Sequence, residues 1–329
     1  MAIHRDRFTQ WGADMALDAA MMAILERAKN NPVPPYQTMP INEARTTFIR
    51  LAGYWNQNPE PMAQVEDLLI QTPECAIPAR FYTPEGVQAD GPVLIYIHGG
   101  GWTFGSVETH DNAVRRLAAE SRIQVLSIDY RLAPEHAFPA GHTDVLETIR
   151  FVENGGLGRP VPASLIALSG DSAGANLALG AMLARPIKGL PQIGTAALLY
   201  GCYAPDHETA SHRRFGDGSY LLSTERMRWF WANFLGQESH DNPGLAAPLY
   251  ASDEDLSGLP PVYMNAAGLD PLLDDSLLLA TRLAHVGIPF RFDVIPNVVH
   301  GFMQMSAELV QAREAQQKAG EWLRQHFGL

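Results

Sequence analysis

Little in this chain carries charge. Only 18% of its 329 residues are Asp, Glu, Lys or Arg, against 46% hydrophobic. That balance excludes wholesale disorder and supplies enough apolar side chains for a large core. Basic residues are the scarcer sign, 24 Lys and Arg against 36 Asp and Glu, for a formal net charge of -12. No basic run reverses this, so nucleic acid and anionic lipid surfaces are not expected partners. No apolar stretch of roughly 18 residues occurs, so no transmembrane helix is expected. Charges interrupt the first residues, MAIHRDRFTQWGADMALDAA, which lack the apolar centre of a signal peptide. A cytoplasmic location is the expectation. Cysteine is nearly missing. Cys75 and Cys202 show no metal-ligand spacing and read as buried free thiols, with a disulfide as the alternative. Internal repeats and low-complexity tracts are also lacking, and no metal site is expected.

What is present is an alternation. Short apolar runs stand at 64–70 (QVEDLLI), 76–82 (AIPARFY), 93–97 (VLIYI), 124–128 (QVLSI), 165–168 (LIAL), 196–200 (AALLY), 262–267 (VYMNAA) and 290–295 (FRFDVI). Helical patterns separate most of the later runs, at about 109–121, 142–154, 173–184, 271–286 and 304–326. Continuous apolar runs suit strands covered on both faces, and their alternation with helices predicts a mostly parallel α/β sheet of eight strands. Two segments stand outside the pattern. In residues 1–55, Met15, Leu17, Met21, Ile24 and Leu25 form an apolar stripe before the break NPVPPY. In residues 203–240, Ser223 is placed to cap the helix TERMRWFWANFLG. Trp229, Phe230, Trp231 and Phe234 give this helix more aromatic surface than a peripheral helix needs. The two segments are expected to cover the catalytic edge of the sheet, with ordinary peripheral helices as the alternative. The division is then 1–55 and 203–240 as cap, and 56–202 with 241–329 as core.

Residues 170–174 read Gly-Asp-Ser-Ala-Gly, between the run LIALS and the helix-like ANLALGAMLA. This strand–turn–helix setting is what a G-x-S-x-G nucleophile elbow requires. The serine occupies a strained turn, and side chains at Gly170 or Gly174 would collide with the adjoining strand and helix. Ser172 also lies at a helix N-terminus, where the dipole favours negative charge. Residues 98–101 read His-Gly-Gly-Gly directly after the strand VLIYI. Consecutive glycines let backbone amides turn toward a substrate and stabilise a carbonyl oxygen that becomes negative. Gly100 and Gly101, with Ala173 after the nucleophile, are the candidate oxyanion donors, each worth about 3–4 kcal/mol of barrier. His98, at a strand end before the loop, is expected to support the loop.

Sheets built around this elbow carry serine, acid and histidine in that order. After a suitable acid only His285, His300 and His326 remain. His285 lies in a helix and His326 in the final helix. His300 follows the strand FRFDVI through a short loop and precedes Gly301, so it is the candidate base. Asp270 leaves the strand VYMNAA at its C-terminal end and is the candidate acid, with Pro271 opening the next helix. Asp274 and Asp275 read as helix-start carboxylates favoured by the dipole. In this scheme Ser172, Asp270 and His300 form a catalytic triad.

HGGGW at 98–102, YRLAPEHAFPA at 130–140, GDSAGAN at 170–176, GLDPLLDD at 268–275 and HGF at 300–302 resemble the hormone-sensitive lipase family of esterases, bacterial family IV. The resemblance covers roughly residues 64–329. It implies an α/β-hydrolase fold with a helical cap, carboxylesterase activity on short or medium acyl chains and no cofactor, and enzymes of this kind are often dimers joined through edge strands. Asp144 stands where that family keeps an acidic residue, expected to be structural. Leu273 and Leu279 replace the arginine and tyrosine common in the family.

Trp102, Phe104, Tyr203, Phe215 and Trp229 are candidates for the wall of a small-ester pocket, each with core packing as its alternative. Two other readings share the scaffold. One is an amidase on the same triad. The other is a ligand-binding protein, which His300 disfavours.

Overall fold

The computed structural model describes residues 17–236 and 243–329. Among these, every expected strand forms: β1 (Gln64–Gln71), β2 (Ala76–Thr83), β3 (Val93–Ile97), β4 (Gln124–Ile128), β5 (Ile166–Asp171), β6 (Thr195–Leu199), β7 (Val262–Leu269) and β8 (Phe290–Val299). They make one sheet in the order β1-β2-β4-β3-β5-β6-β7-β8. The pairs β1–β2 and β2–β4 are antiparallel, and the other pairs are parallel. Strands β3, β4, β5 and β6 are buried at every position. Helices on both faces leave no wet side on which polar residues could alternate, which explains their continuous apolar runs.

The helices are α1 (Ala19–Asn30), α2 (Ile41–Ala52), α3 (Asp111–Ser121), α4 (Ala140–Glu153), α5 (Ala173–Ile187), α6 (Ala210–Phe215), α7 (Thr224–Leu235), α8 (Pro243–Ala246), α9 (Asp253–Ser257), α10 (Leu273–Val286) and α11 (Val310–Phe327). Two apolar layers sandwich the sheet. One joins Val145 and Ile149 of α4 and Leu177 and Met182 of α5 to Ile95 and Leu168. The other joins Val114 and Leu117 of α3 and Ala312 and Leu323 of α11 to Leu94 and Ala167. The alternating side chains of β3 and β5 thus feed opposite layers, as the two-residue strand period demands.

Helix α1 begins where the Asp18 carboxylate accepts the Met21 amide at 2.7 Å. Met21 and Ile24 of its stripe are buried in the second layer, and Met15 lies outside the described residues. Ser223 caps α7 as expected, accepting the Arg226 amide at 3.1 Å. Helix α7 buries Met227, Phe230, Trp231 and Phe234. Phe234 stacks on Trp102 with centroids 4.2 Å apart, and Phe230 and Tyr36 both meet Phe104 edge-on at 5.5 and 5.0 Å.

Several boundaries differ from expectation. The final helical segment is broken into a short turn, Phe302–Met305, and then α11. Pro271 does not open α10, which starts at Leu273, because Asp270 first turns the chain by accepting the Leu272 amide at 2.9 Å. Both cysteines are free. Cys75 lies in the β1–β2 turn, where Thr72 bonds its backbone. Among the described residues, no helix is long and apolar enough to cross a membrane, and no group of His, Cys, Asp or Glu has the makings of a metal site.

Candidate active site

Ser172 stands at the junction of β5 and α5 with φ 54° and ψ -119°. A non-glycine residue there is strained, and strain of this kind persists only where the surroundings enforce it. They do so here by close approach of backbone. A Cβ on Gly174 would lie 1.9 Å from the Ile97 carbonyl oxygen, and one on Gly170 would lie 2.5 Å from the Gly174 carbonyl carbon. The Ser172 amide donates to the Leu199 carbonyl at 2.8 Å, pinning the turn to the end of β6.

Two loops at the same sheet edge bring up the partners. Asp270 leaves β7 and is 1% exposed. Its Oδ2 lies 2.7 Å from His300 Nδ1. His300 Nε2 lies 2.9 Å from Ser172 Oγ. With Nδ1–H donating to the carboxylate, Nε2 is left to accept the serine proton. His300 follows β8, its ring edge-on to Tyr200 at 5.2 Å, and Gly301 turns the chain at φ 76°. The competing histidines are elsewhere. His285 faces solvent beside Asp253, and His326 packs edge-on against Phe327. His98 is fully buried, stacked on Tyr130 at 4.4 Å, with Nδ1 2.8 Å from the Gly99 carbonyl. Burial pushes its pKa down to about 3, so it stays neutral and braces the loop.

The glycine loop is anchored from below. Asp171, beside the nucleophile, accepts the Gly99 amide and the Tyr96 hydroxyl, each at 2.8 Å. Burial alone would raise its pKa. Neighbouring His110, the Tyr96 hydroxyl and the Gly99 amide overcome that and hold it down at about 2, so the carboxylate is charged. Gly100 and Gly101 have φ 117° and 60°, and the Gly100 carbonyl accepts the Phe104 amide at 2.9 Å. The amides of Gly100, Gly101 and Ala173 donate to no acceptor among the described residues. Three free donors beside a nucleophilic hydroxyl suit a developing oxyanion.

Gly100, Gly101, Ser172 and His300 open on a cavity of about 180 Å³. Its apolar wall comes from Tyr36, Phe48, Trp55, Phe104, Leu221, Leu222, Met227, Phe230 and Met305. Of the five aromatic candidates, only Phe104 is in this wall. Trp102 is 1% exposed beneath α7, and Tyr203 is fully buried in the core. Phe215 turns to Tyr220, and Trp229 packs behind Phe104 and Phe230. Core packing is therefore the structural account of Trp102 and Tyr203, because their rings are spent on contacts within the fold.

Asp144 is structural: it accepts the Arg131 amide at 2.7 Å and pairs with its guanidinium at 2.8 Å. Asp274 and Asp275 do more than favour a helix start. Asp275 is 1% exposed and accepts the Tyr203 and Ala204 amides at 2.6 and 3.3 Å. Asp274 accepts the Ser211 amide at 2.9 Å. Together they fasten the chain that leads to α7. Leu279 is fully buried in the core. Sequence reasoning overlooked Tyr36, Phe48, Trp55, Arg226, Met227 and Gln304. A helical signal existed for Met227, which shares one face of α7 with Phe230 three residues on.

Residues 94–304 match the alpha/beta hydrolase fold family. Carboxylesterase NlhH of Mycobacterium tuberculosis is 36% identical over 241 residues, 73% of this chain and 75% of that protein. Esterase LipI of the same species is 36% identical over 272 residues, 81% and 83% of the two chains. Among solved structures, an ester hydrolase from the metagenome of Lake Arreo superposes with a TM-score of 0.89 at 33% identity, covering 95% of this chain and 100% of that one. The hyperthermophilic esterase of Pyrobaculum calidifontis gives 0.88 at 31% identity, covering 94% and 99%. The chain belongs to the α/β-hydrolase family, among its esterases related to hormone-sensitive lipase. It is a carboxylic ester hydrolase.

Proposed function

We propose that the protein hydrolyses short- to medium-chain acyl esters through an acyl-enzyme on Ser172. The observation that carries this is the unbroken line Ser172 Oγ, His300, Asp270 with gaps of 2.9 and 2.7 Å. In the first half-reaction His300 Nε2 takes the Ser172 proton as Oγ attacks the ester carbonyl. The tetrahedral oxygen receives hydrogen bonds from the amides of Gly100, Gly101 and Ala173. His300 then gives the proton to the departing alkoxide. In the second half, water loses a proton to His300, attacks the acyl-serine, and releases the acid. Asp270 fixes the tautomer throughout and stabilises the imidazolium. Segments 1–55 and 203–240 act as the cap, and the small cavity they help to wall favours compact acyl groups over triglycerides. Residues 1–16 and 237–240 of those segments lie outside the described structure. The reading requires no cofactor. It includes a cytoplasmic location and a homodimer formed through an edge strand.

The test is a series of acyl esters of increasing chain length on wild type and Ser172→Ala, with organophosphate labelling of both. Turnover and labelling confined to wild type, with a preference for the shorter chains, is the expected outcome. Full labelling of the variant refutes the nucleophile. A rate that climbs steadily with chain length refutes the compact pocket.

A further inference from the structure

The cavity is apolar apart from the reacting groups, Asp171, Gln304 and one cation. Among its described lining residues Arg226 is the sole Arg or Lys, and Asp171 the sole carboxylate. Asp171 is committed to Tyr96, Gly99 and His110. Arg226 therefore has no anionic partner among the described residues. Its Nη1 donates to the Leu221 carbonyl at 3.2 Å, and its guanidinium carbon lies 4.9 Å over the Tyr36 ring. Its Nε is buried without an acceptor, and Nη2 has no acceptor among the described residues. Arg228, two residues on and facing solvent, does have a carboxylate, Glu208 at 3.0 Å.

A cation partly withdrawn from water, as Arg226 is, costs free energy unless an anion or enough acceptors complete its shell. One carbonyl and one ring face leave donors of this five-donor guanidinium open to solvent or to a ligand in the chamber. Burial also lowers the hold of Arg226 on its proton, with only Tyr36 opposing, yet arginine stays charged at any ordinary pH. An apolar chamber lined by both such a cation and a nucleophile is suited to a substrate that brings its own negative charge. The net charge of -12 repels anions at long range, so any preference for one has to arise from contact inside the chamber.

We propose that Arg226 determines specificity for an anionic ester, one whose acyl arm ends in a carboxylate, such as the half-ester of a short dicarboxylic acid. The guanidinium pairs with the carboxylate by charge-assisted hydrogen bonds and thereby sets the depth at which the ester carbonyl meets Ser172. This rests on the acyl-enzyme reading and names the substrate class of that site.

The test compares monoethyl glutarate with its neutral isostere, in which an isopropyl group replaces the free carboxylate, by proton release at constant pH. The readout is the ratio of kcat/KM for the anionic over the neutral ester, in wild type, Arg226→Lys and Arg226→Met. The expected ratio exceeds one in wild type and falls about tenfold or more in Arg226→Met, as befits loss of a charge-assisted hydrogen bond. The fall comes through KM for the anionic ester, and Arg226→Lys restores part of the ratio. A wild-type ratio below one, or an Arg226→Met ratio within about twofold of wild type, overturns the proposal. If Arg226→Met does not fold, wild type alone decides. Free glutarate is expected to compete with the neutral ester while pentanediol does not, and absence of competition by glutarate overturns the proposal. Failure of the acyl-enzyme reading is distinct: wild type then hydrolyses neither ester and no organophosphate labels Ser172.

Discussion

The two sides of the cavity are held by different forces. On the sheet side, backbone presses on backbone. Gly174 faces the Ile97 carbonyl and the Ser172 amide is tied to the Leu199 carbonyl, with one buried side chain, Asp171, clamping the Gly99 amide. On the covering side, side chains do the holding. Arg45 reaches from α2 to the Thr103 and Ala133 carbonyls and to Glu135. Arg27 of α1 pairs with Glu308, and Phe230 rests on the glycine loop. Backbone contacts leave almost no latitude, whereas side-chain contacts are exchanged at modest cost. The chemistry is thus built on the rigid side and the shape of the chamber on the adjustable one. Substitutions that cross this divide sharpen the contrast or break it.

The largest expected effect is Ser172→Ala, which lowers kcat by about 10⁶-fold if serine acts as part of a unit, with little change in melting temperature. Residual turnover above about a thousandth of wild type breaks the assignment. Next is Gly174→Ala. Its methyl would sit 1.9 Å from a carbonyl oxygen, so the elbow must shift, and a loss of more than about 4 kcal/mol in urea unfolding is expected. A near-native stability would show the rigid side to be soft. On the covering side, Phe230→Ala empties space above Gly101. About 3 kcal/mol of stability goes with the buried ring, and the preferred acyl chain becomes longer in a chain-length series. Unchanged selectivity would remove α7 from the chamber wall.

A smaller effect separates the regions by pH. Burial raises the Asp275 pKa to about 7, against the opposing bonds from the Tyr203 and Ala204 amides. The folded protein therefore holds this proton where the unfolded chain, near 3.8, has released it. The contribution of Asp275 to stability is full below the unfolded value and is lost as pH rises to about 7. Relative to Asp275→Asn, wild type should lose ground between those limits and then level off, as thermal melts at stepped pH will show. An advantage that grows with pH would reverse the assignment. Smallest of all is Arg27→Gln at the α1 pair with Glu308. The pair is partly exposed, and a change within about 1 kcal/mol is expected. A larger loss would mean that α1 is clamped as firmly as the elbow.

Much of the molecule was legible before any coordinates. The central strands came from continuous apolar runs, because burial on both faces writes itself into local composition, while the partly exposed β1, β2 and β8 showed shorter or mixed apolar patterns. Ser172, Asp270 and His300 came from their positions after β5, β7 and β8, since residues at these strand ends share one edge of the sheet. The tasks of Asp274 and Asp275 were misread in part. Helix-start carboxylates look alike in sequence whether they face water or accept amides from a segment some 63 or 72 residues away. Among the aromatics, Trp102 and Phe104 are two residues apart, yet one is sealed under α7 and the other walls the cavity.

By itself the sequence determined the elements, the strained elbow with its small flanking residues, and the loops from which the reacting groups come. All are set within a few residues by periodicity, sterics and turn chemistry. Only the tertiary structure decided that His300 approaches a hydroxyl 128 positions earlier in the chain, that Arg226 enters the chamber without an anionic partner among the described residues, and which rings form its wall. Those facts depend on how separate segments pack across space, and a packing distance leaves no periodic mark on the chain.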